Sequence, residues 1–369
     1  MLSTKQRIFI TAAFSCALTL FLSCNKKTPV SETVQNVAEE QVVAEVQKAA
    51  EATPEQTSDD AYIMRIGHAQ SESSPRHRSL LLFKEQVEKR TDGKIKVEIY
   101  PSGVRGDETE MTVAVSEGSL ESVRGGDLEF VPKSMLLGLP MIADTLSDAR
   151  KLCYSDFVKN MLSAAEANNM IVLAVGDDSG FRQITNSVRP ITKPADMKGL
   201  KIRAPQIVAT VTFINELGAS ATVVPFTELY AALAEGRVAG QENPLALIDT
   251  SKFYEVQSYC TIINYQFFPE LMYVNLDWWK SLPEDYQKIL SSCAKTMMDE
   301  NGRITDEENN AYIKHIQEQG CQIVTLSQSQ RAAFRPYAER VWEKYIDEGY
   351  ATKQELKDML AIVGKTITW

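Results

Sequence analysis

Histidine is scarce in this chain of 369 residues: His68, His77 and His315 are the only three, and their positions give no metal-ligand spacing. Cysteine is sparse as well, six in all, with no C-x-x-C pair. No P-loop, G-x-G-x-x-G, G-x-S-x-G or H-E-x-x-H pattern occurs. These absences argue against nucleotide hydrolysis, dinucleotide binding, serine hydrolysis and zinc proteolysis, and no cofactor or metal is expected. Basic residues are scattered and the formal net charge is −10, so nucleic acid is not an expected partner. Beyond the first residues, no run reaches the roughly 18 apolar residues of a membrane-spanning helix.

What is present changes character along the chain. Lys5 and Arg7 precede an apolar run, Ile8 to Leu22, that is too short to span a bilayer well. The run ends in Leu20-Phe21-Leu22-Ser23-Cys24, which resembles a relaxed bacterial lipobox. Residues 1–23 are therefore expected to be a lipoprotein signal peptide, with Cys24 lipidated and the mature protein held outside the cytoplasm. Residues 25–60 lack aromatics and glycine and cannot bury enough apolar surface to fold alone. As a flexible chain of about 36 residues this segment would span roughly 30–35 Å, so 24–60 reads as a lipidated tether. Val34, Val37, Val42 and Val46 also recur at near-helical spacing, which leaves open an amphipathic helix that docks on a partner.

About 310 residues remain, enough for two α/β lobes with sizeable cores. Tyr62–His68 and Ile95–Tyr100 read as strands, the second because Ile95, Val97 and Ile99 alternate with Lys96 and Glu98. Ser79–Arg90 reads as the helix between them, stopped by Thr91-Asp92-Gly93. Met170–Gly176 has buried-strand length, and Asp177-Asp178-Ser179-Gly180 reads as a solvated turn. Val208–Leu217 and Phe226–Leu233 read as helices, and a long helix runs from Pro283 toward Gly320 with a bend expected at Gly302. Further helices run from Gln330 to about Leu360. The alternation argues for parallel α/β sheets. Cys153, Cys260, Cys293 and Cys321 are widely spaced and read as small core residues.

The most informative stretch is Phe181 to Gln206. Leu200-Lys201-Ile202-Arg203 forms a short strand opened after Gly199 and ended by Pro205, and Arg182 lies in a second turn-bounded segment. Arginine matters there because its planar fork binds a carboxylate through two parallel hydrogen bonds. Five pieces occur in order: GxRQxTNS at Gly180–Ser187, DMKGLKIRAP at Asp196–Pro205, PFTELYAAL at Pro225–Leu233, GQENPLA at Gly240–Ala246 and FYEVQ at Phe253–Gln257. Together they closely resemble the solute-binding proteins of TRAP transporters (tripartite ATP-independent periplasmic transporters, DctP-type). The resemblance covers Tyr62 almost to the C terminus.

That resemblance implies a two-lobe periplasmic-binding-protein (Venus-flytrap) fold of the α/β class, with crossing strands and a long connecting helix. It places lobe I at 62–179 plus 269–308 and lobe II at 180–268 plus 309–369. It makes Arg203 the grip on a ligand carboxylate, with Arg182, Asn243 and the apolar wall Phe226 beside it. Gln241 and Glu242 are further candidates, with backbone or interlobe bonding as the plainer role. From lobe I the candidates are His68, Gln70, Glu121 and Asp127. Glu121 departs from the family's usual aspartate, and Arg105 stands where a leucine is usual. Phe181, Phe226, Tyr265, Phe267 and Phe268 hint at a ligand with an apolar body, such as a branched or aromatic 2-oxo acid, unless several are core residues.

The implied function is that of a periplasmic, lipid-anchored receptor, not an enzyme. It would bind a small organic acid between its lobes and deliver it to TRAP permease subunits. The rival reading keeps the fold but presents ligand to a sensor or an accessory lipoprotein.

Overall fold

The computed structural model describes residues 61–367 and Trp369, so the expected signal peptide, Cys24 and the tether up to residue 60 lie outside the described residues. In chain order, β1 (Tyr62–Gly67), α1 (Pro75–Arg90), β2 (Ile95–Tyr100), α2 (Glu108–Glu117) and β3 (Ser122–Gly125) come first. Helices α3 (Leu146–Cys153) and α4 (Asp156–Leu162) lead into β4 (Met170–Asn186). Next come β5 (Lys201–Ala204), α5 (Val208–Glu216), β6 (Ser220–Val223), α6 (Leu229–Ala234), β7 (Gly240–Pro244) and α7 (Leu245–Thr250). The remainder comprises β8 (Tyr259–Asn275), α8 (Leu276–Ser281), α9 (Glu284–Glu318), β9 (Gln322–Thr325), α10 (Gln328–Ala332), α11 (Arg335–Asp347) and α12 (Lys353–Ile362).

The strands form one mixed sheet in the order β2-β1-β3-β8-β4-β7-β5-β6, with β9 beside β8. In β2, buried Ile95 and Val97 alternate with exposed Lys96 and Glu98, as a half-covered strand requires. Helix α1 starts earlier than expected, because Ser74 caps it through the His77 amide and Pro75 suits the first turn. Helix α2 was not anticipated, although its signal is in the sequence. Asp107 and Glu110 form a reciprocal capping box, and Gly118 ends the helix at φ 83°.

Helix α9 runs 35 residues through Gly302. Close approach, not the expected bend, explains that glycine: a Cβ there would lie 3.1 Å from Arg150 Nε. The Arg150 Nη2 donates to the Gly302 carbonyl at 3.1 Å.

Strands β4 and β8 each run 17 residues and join the two halves of the sheet. The start of β4 pairs with the end of β8, and the end of β4 pairs with β7. Between the pairs Asp177↔Pro269 and Phe181↔Phe267 the register breaks, so Asp178, Ser179 and Gly180 face Phe268 alone. Ser179 and Gly180 both have positive φ, 117° and 95°. The expected solvated turn at 177–180 is thus a buried bulge in mid-strand. Long-range arginines make that burial tolerable: Asp177 is held by Arg150 at 2.7 Å and Asp178 by Arg76 at 2.7 Å.

One apolar core packs Leu80, Phe83 and Val87 of α1 against Val97, Leu290 and Met297. A second gathers Phe213, Tyr265 and the fully buried Trp342 of α11. The Trp342 indole donates to the Pro140 carbonyl at 2.9 Å, which satisfies its polar edge. Cys153, Cys260, Cys293 and Cys321 are buried free thiols. No helix among the described residues is long and apolar enough to cross a membrane.

Candidate functional site

The carboxyl ends of β1, β3, β5, β6 and β7 converge on one cleft, the position where α/β sheets place ligands. One cavity of about 160 Å³ is lined by Ala69, Glu108, Asp127, Arg203 and Phe226 among others. An adjoining space of about 50 Å³ adds Gln70, Asp178, Arg182, Asn243 and Phe268, and shares Arg203, Glu108 and Phe226. Both volumes lie below the roughly 300–1,000 Å³ typical of drug-sized sites, which points to a small occupant. A larger cavity of about 510 Å³ lies elsewhere, along Ile171–Val175 and Met298. Its lining contains none of the expected site residues.

Arg203 ends up here because Pro205 stops β5 just after it. The strand pairs in parallel with β6 and β7, with Arg203 opposite Thr222 and Gln241. Arg203 is 2 % exposed, and its Nε donates to the Val224 carbonyl at 2.8 Å. No carboxylate lies within ion-pair distance of it among the described residues. Burial pushes its pKa down to about 10, which still leaves it charged at neutral pH.

Arg182 is differently placed. Its Nη2 donates to Glu242 Oε1 at 2.9 Å and to Asn243 Oδ1 at 3.0 Å, and its Nε also donates to Glu242. Only its Nη1 lacks a close acceptor; Asp178 Oδ2 is 3.8 Å away. Glu242 accepts a further bond from the Tyr265 hydroxyl at 2.6 Å. Gln241 donates to Thr185 Oγ1 at 2.9 Å and accepts from Asn243. Gln241 and Glu242 thus sit behind the cavity wall and orient Asn243 and Arg182. Pro244 keeps this segment extended, so Asn243 reaches the cavity from a strand end.

The other half of the sheet contributes differently from what the sequence suggested. Glu121 is bound by Arg65 at 2.5 and 2.8 Å and does not line the cavity. His68 is fully buried, 3.0 Å from the His77 ring, and does not line it either. Burial, with Arg76 next in effect, pushes its pKa down to about 2 and keeps the ring neutral. Its backbone carbonyl instead holds the Gly103 amide at 3.0 Å. Gln70 and Asp127, by contrast, do face the cleft. Arg105 lies away from it, stacked over the Tyr100 ring at 4.1 Å.

Residues missed in the sequence are Glu108 and Arg76. Arg76 is buried and joins Glu108 at 2.5 Å and Asp178 at 2.7 Å. Arg124 lies beside it and pairs with Glu270 at 2.8 Å. The capping box could have located Glu108; no local signal marks Arg76. Of the five aromatics, only Phe226 and Phe268 line the cavities. Phe181 and Phe267 pack edge-to-face, and Tyr265 stacks on Phe213. These three are core residues, so the expected aromatic nest for an apolar ligand body is not formed.

The two sides of the cleft touch at its mouth. A Cβ on Gly103, at φ 69°, would lie 2.6 Å from the Thr227 methyl. The cavity lies between a side bearing Glu108 and Asp127 and a side bearing Arg203 and Phe226.

Comparison with known proteins fits this geometry. The family model for bacterial extracellular solute-binding protein, family 7 (DctP) matches residues 66–348. The 2,3-diketo-L-gulonate-binding periplasmic protein YiaO of Escherichia coli is 26 % identical over 268 residues, 72 % of this chain and 81 % of that protein. The sugar acid binding protein DctPAm of Advenella mimigardefordensis, solved with galactonate, superposes with a TM-score of 0.79 at 28 % identity, covering 83 % of this chain and 98 % of that one. A TRAP periplasmic solute-binding protein of Desulfovibrio salexigens, solved with orotic acid, gives 0.77 at 30 % identity, covering 82 % and 99 %. These neighbours share the two-lobe periplasmic-binding-protein fold with crossing strands. The chain belongs to the DctP family of TRAP transporter solute-binding proteins, a family of receptors rather than enzymes.

Proposed function

We propose that this chain closes on a small solute bearing a carboxylate and hands it to a TRAP permease. The observation that carries the reading is Arg203, a buried charged guanidinium that lines the cleft cavity and has no carboxylate within ion-pair distance among the described residues. Desolvating a cation without a counter-ion costs several kcal/mol, and an arriving carboxylate offsets that cost. Each charge-assisted hydrogen bond then contributes roughly 1.5–3 kcal/mol. The relatives described above bind 2,3-diketo-L-gulonate, galactonate and orotic acid, each of which carries a carboxylate. Arg182 adds its free Nη1 and is held rigid by Glu242, while Asn243 and Phe226 complete the wall.

In this reading 62–179 plus 269–308 and 180–268 plus 309–369 move as two lobes. The register break and the positive φ angles at Ser179 and Gly180 support a hinge at that point. Ligand favours the closed form only through its differential affinity for it, and closure strengthens each ionic contact by excluding water. Residues 1–23 act as the signal, Cys24 carries lipid, and 24–60 tethers the receptor to a bacterial membrane. The basic start and short apolar run support this, and intact mass of the mature chain tests it: a diacylglyceryl adduct is lost in Cys24→Ala.

The deciding experiment is a thermal-shift screen of the purified protein, refolded once to strip carried-over ligand, against a panel of carboxylates. Ligand at a hundred times Kd adds about 2.7 kcal/mol of stability. The expected result is a carboxylate hit that disappears in Arg203→Ala. Hits confined to uncharged compounds and indifferent to Arg203 would overturn the reading.

A further inference from the structure

The first half of β4 is an open sheet edge. Strand β7 pairs only with Arg182–Asn186, so Met170–Gly176 has β8 on one side and no strand on the other among the described residues. In an antiparallel pair alternate residues turn their N–H and C=O groups away from the partner, and here those groups face the open side. Outside its pairing with β8, the Ile171–Val175 backbone makes no further backbone hydrogen bond among the described residues. The cavity of about 510 Å³ lies along this edge, and every residue from Ile171 to Val175 lines it. A cavity over one face of a sheet would meet only every second residue. Ile171 and Leu173 pack toward the core that holds Met298 of α9, and Val172 and Val175 toward the core that holds Leu162 of α4. Met298 and Leu162 both line the cavity. It is therefore a slot between two helical layers, in the place where the next strand of the sheet would lie.

Proteins usually protect such edges with charged side chains, proline, bulges or a covering element. Met170–Gly176 (MIVLAVG) carries neither charge nor proline, and its register shift at Leu173 is the one blunting feature. Ile171–Val175 are half-buried, so the edge is recessed. A second copy cannot fill the slot with its own β4, because that strand lies at the bottom of the same recess. A lipid chain would match the apolar walls but leave the backbone donors and acceptors without partners, which is costly in a dry slot. An extended peptide satisfies both the walls and the edge. Charge adds a preference at the rim. Lys159 on α4 and Lys295 on α9 stand on the two walls, against Glu166 as the single lining acid. Lys295 also pairs with Asp299 at 2.6 Å, while Lys159 forms no ion pair among the described residues. We propose that the slot is a β-augmentation site. An extended apolar segment of a partner protein, flanked by acidic residues and as long as Met170–Gly176, docks there as an added strand beside β4. None of the cleft residues lines the slot, so this docking is separate from solute binding.

The test is fluorescence anisotropy on the full chain with labelled peptides of that length, in which valine, isoleucine, leucine and threonine alternate between flanking glutamates. Each peptide is accompanied by two copies N-methylated at alternate amides, one copy for each edge of the strand. The tightest peptide should lose at least about tenfold in affinity in one methylated copy and little in the other, because only one set of amides bonds to β4. Hydrogen exchange should show protection within Ile171–Val175 when that peptide is bound. Lys159→Glu combined with Lys295→Glu, both at exposed positions, should invert the preference between glutamate- and lysine-flanked peptides. Equal binding of the two methylated copies, or protection confined to other strands, would overturn the proposal. Absence of binding by every peptide would do the same. Protection of these amides that grows with protein concentration in the absence of peptide would assign the edge to a second copy and overturn it as well. An unchanged flank preference in the double variant would overturn the acidic partner.

Discussion

Arg182 and Glu242 lock together across β4 and β7, fork to carboxylate, with Nη2 to Oε1 at 2.9 Å and both residues buried. One strand further, Arg203 is just as buried and has no such partner among the described residues. Two arginines that look alike in the sequence therefore do different work. The first is held by the protein's own Glu242, and the second has no carboxylate within ion-pair distance among the described residues.

Arg203→Ala should weaken carboxylate binding by at least about a hundredfold, which corresponds to about 2.7 kcal/mol. Arg203→Lys should recover only part of this, because a point charge lacks the planar fork. Calorimetry on both variants checks it; an unchanged Kd in the alanine variant would remove Arg203 from the site.

Glu242→Ala should cost stability rather than affinity alone. It leaves the Arg182 cation and the Tyr265 hydroxyl buried without their acceptor. Breaking one side of a buried pair typically costs about 3–5 kcal/mol. Urea unfolding of the unliganded variant would show it as a lower midpoint at unchanged slope. A midpoint equal to wild type would mean the pair contributes nothing to the fold.

Gly103→Ala should hinder closure. Its added Cβ meets the Thr227 methyl, and φ 69° is strained for alanine. We expect about a tenfold weaker Kd, or roughly 1.4 kcal/mol, with unfolding stability of the unliganded protein less affected. Small-angle scattering with ligand should then show a more open average shape than wild type.

Asp127 should make the unliganded protein less stable as pH rises. Burial, and Glu108 after it, lift its pKa from 3.8 to about 7, so between those values the folded state holds a proton that the unfolded chain has lost. The native form is thus favoured by this group at low pH, and that contribution fades as pH climbs from about 4 through 7. Asp127→Asn removes the titration, so its melting temperature should gain on wild type between pH 5 and pH 8. A constant difference across that range would show that Asp127 titrates normally.

Ser179→Gly should stabilise the crossing strand. Its φ of 117° is one that L side chains rarely adopt, and such strain costs on the order of 1–3 kcal/mol. Thermal unfolding of the unliganded variant should show a higher midpoint. A lower midpoint would mean that contacts of the serine side chain outweigh the strain.

The sequence by itself determined the family, through motifs local enough to read directly. It also determined the short strand that carries Arg203, because Gly199 and Pro205 bracket it. Ile95–Tyr100 was legible for a similar reason, since alternation along a strand is a nearest-neighbour pattern. The crossing strands came from family resemblance and not from the pattern of residues. Only the tertiary structure decided the rest. Asp177 and Asp178 read as a solvated turn because their partners, Arg150 and Arg76, are distant in the chain. Phe181, Tyr265 and Phe267 read as ligand walls because a core aromatic and a cavity aromatic look identical until their neighbours are known. Which arginine is left free was undecidable for the same physical reason. Ion pairing is a contact between strands, and only the sheet register brings Glu242 to Arg182 and keeps it from Arg203.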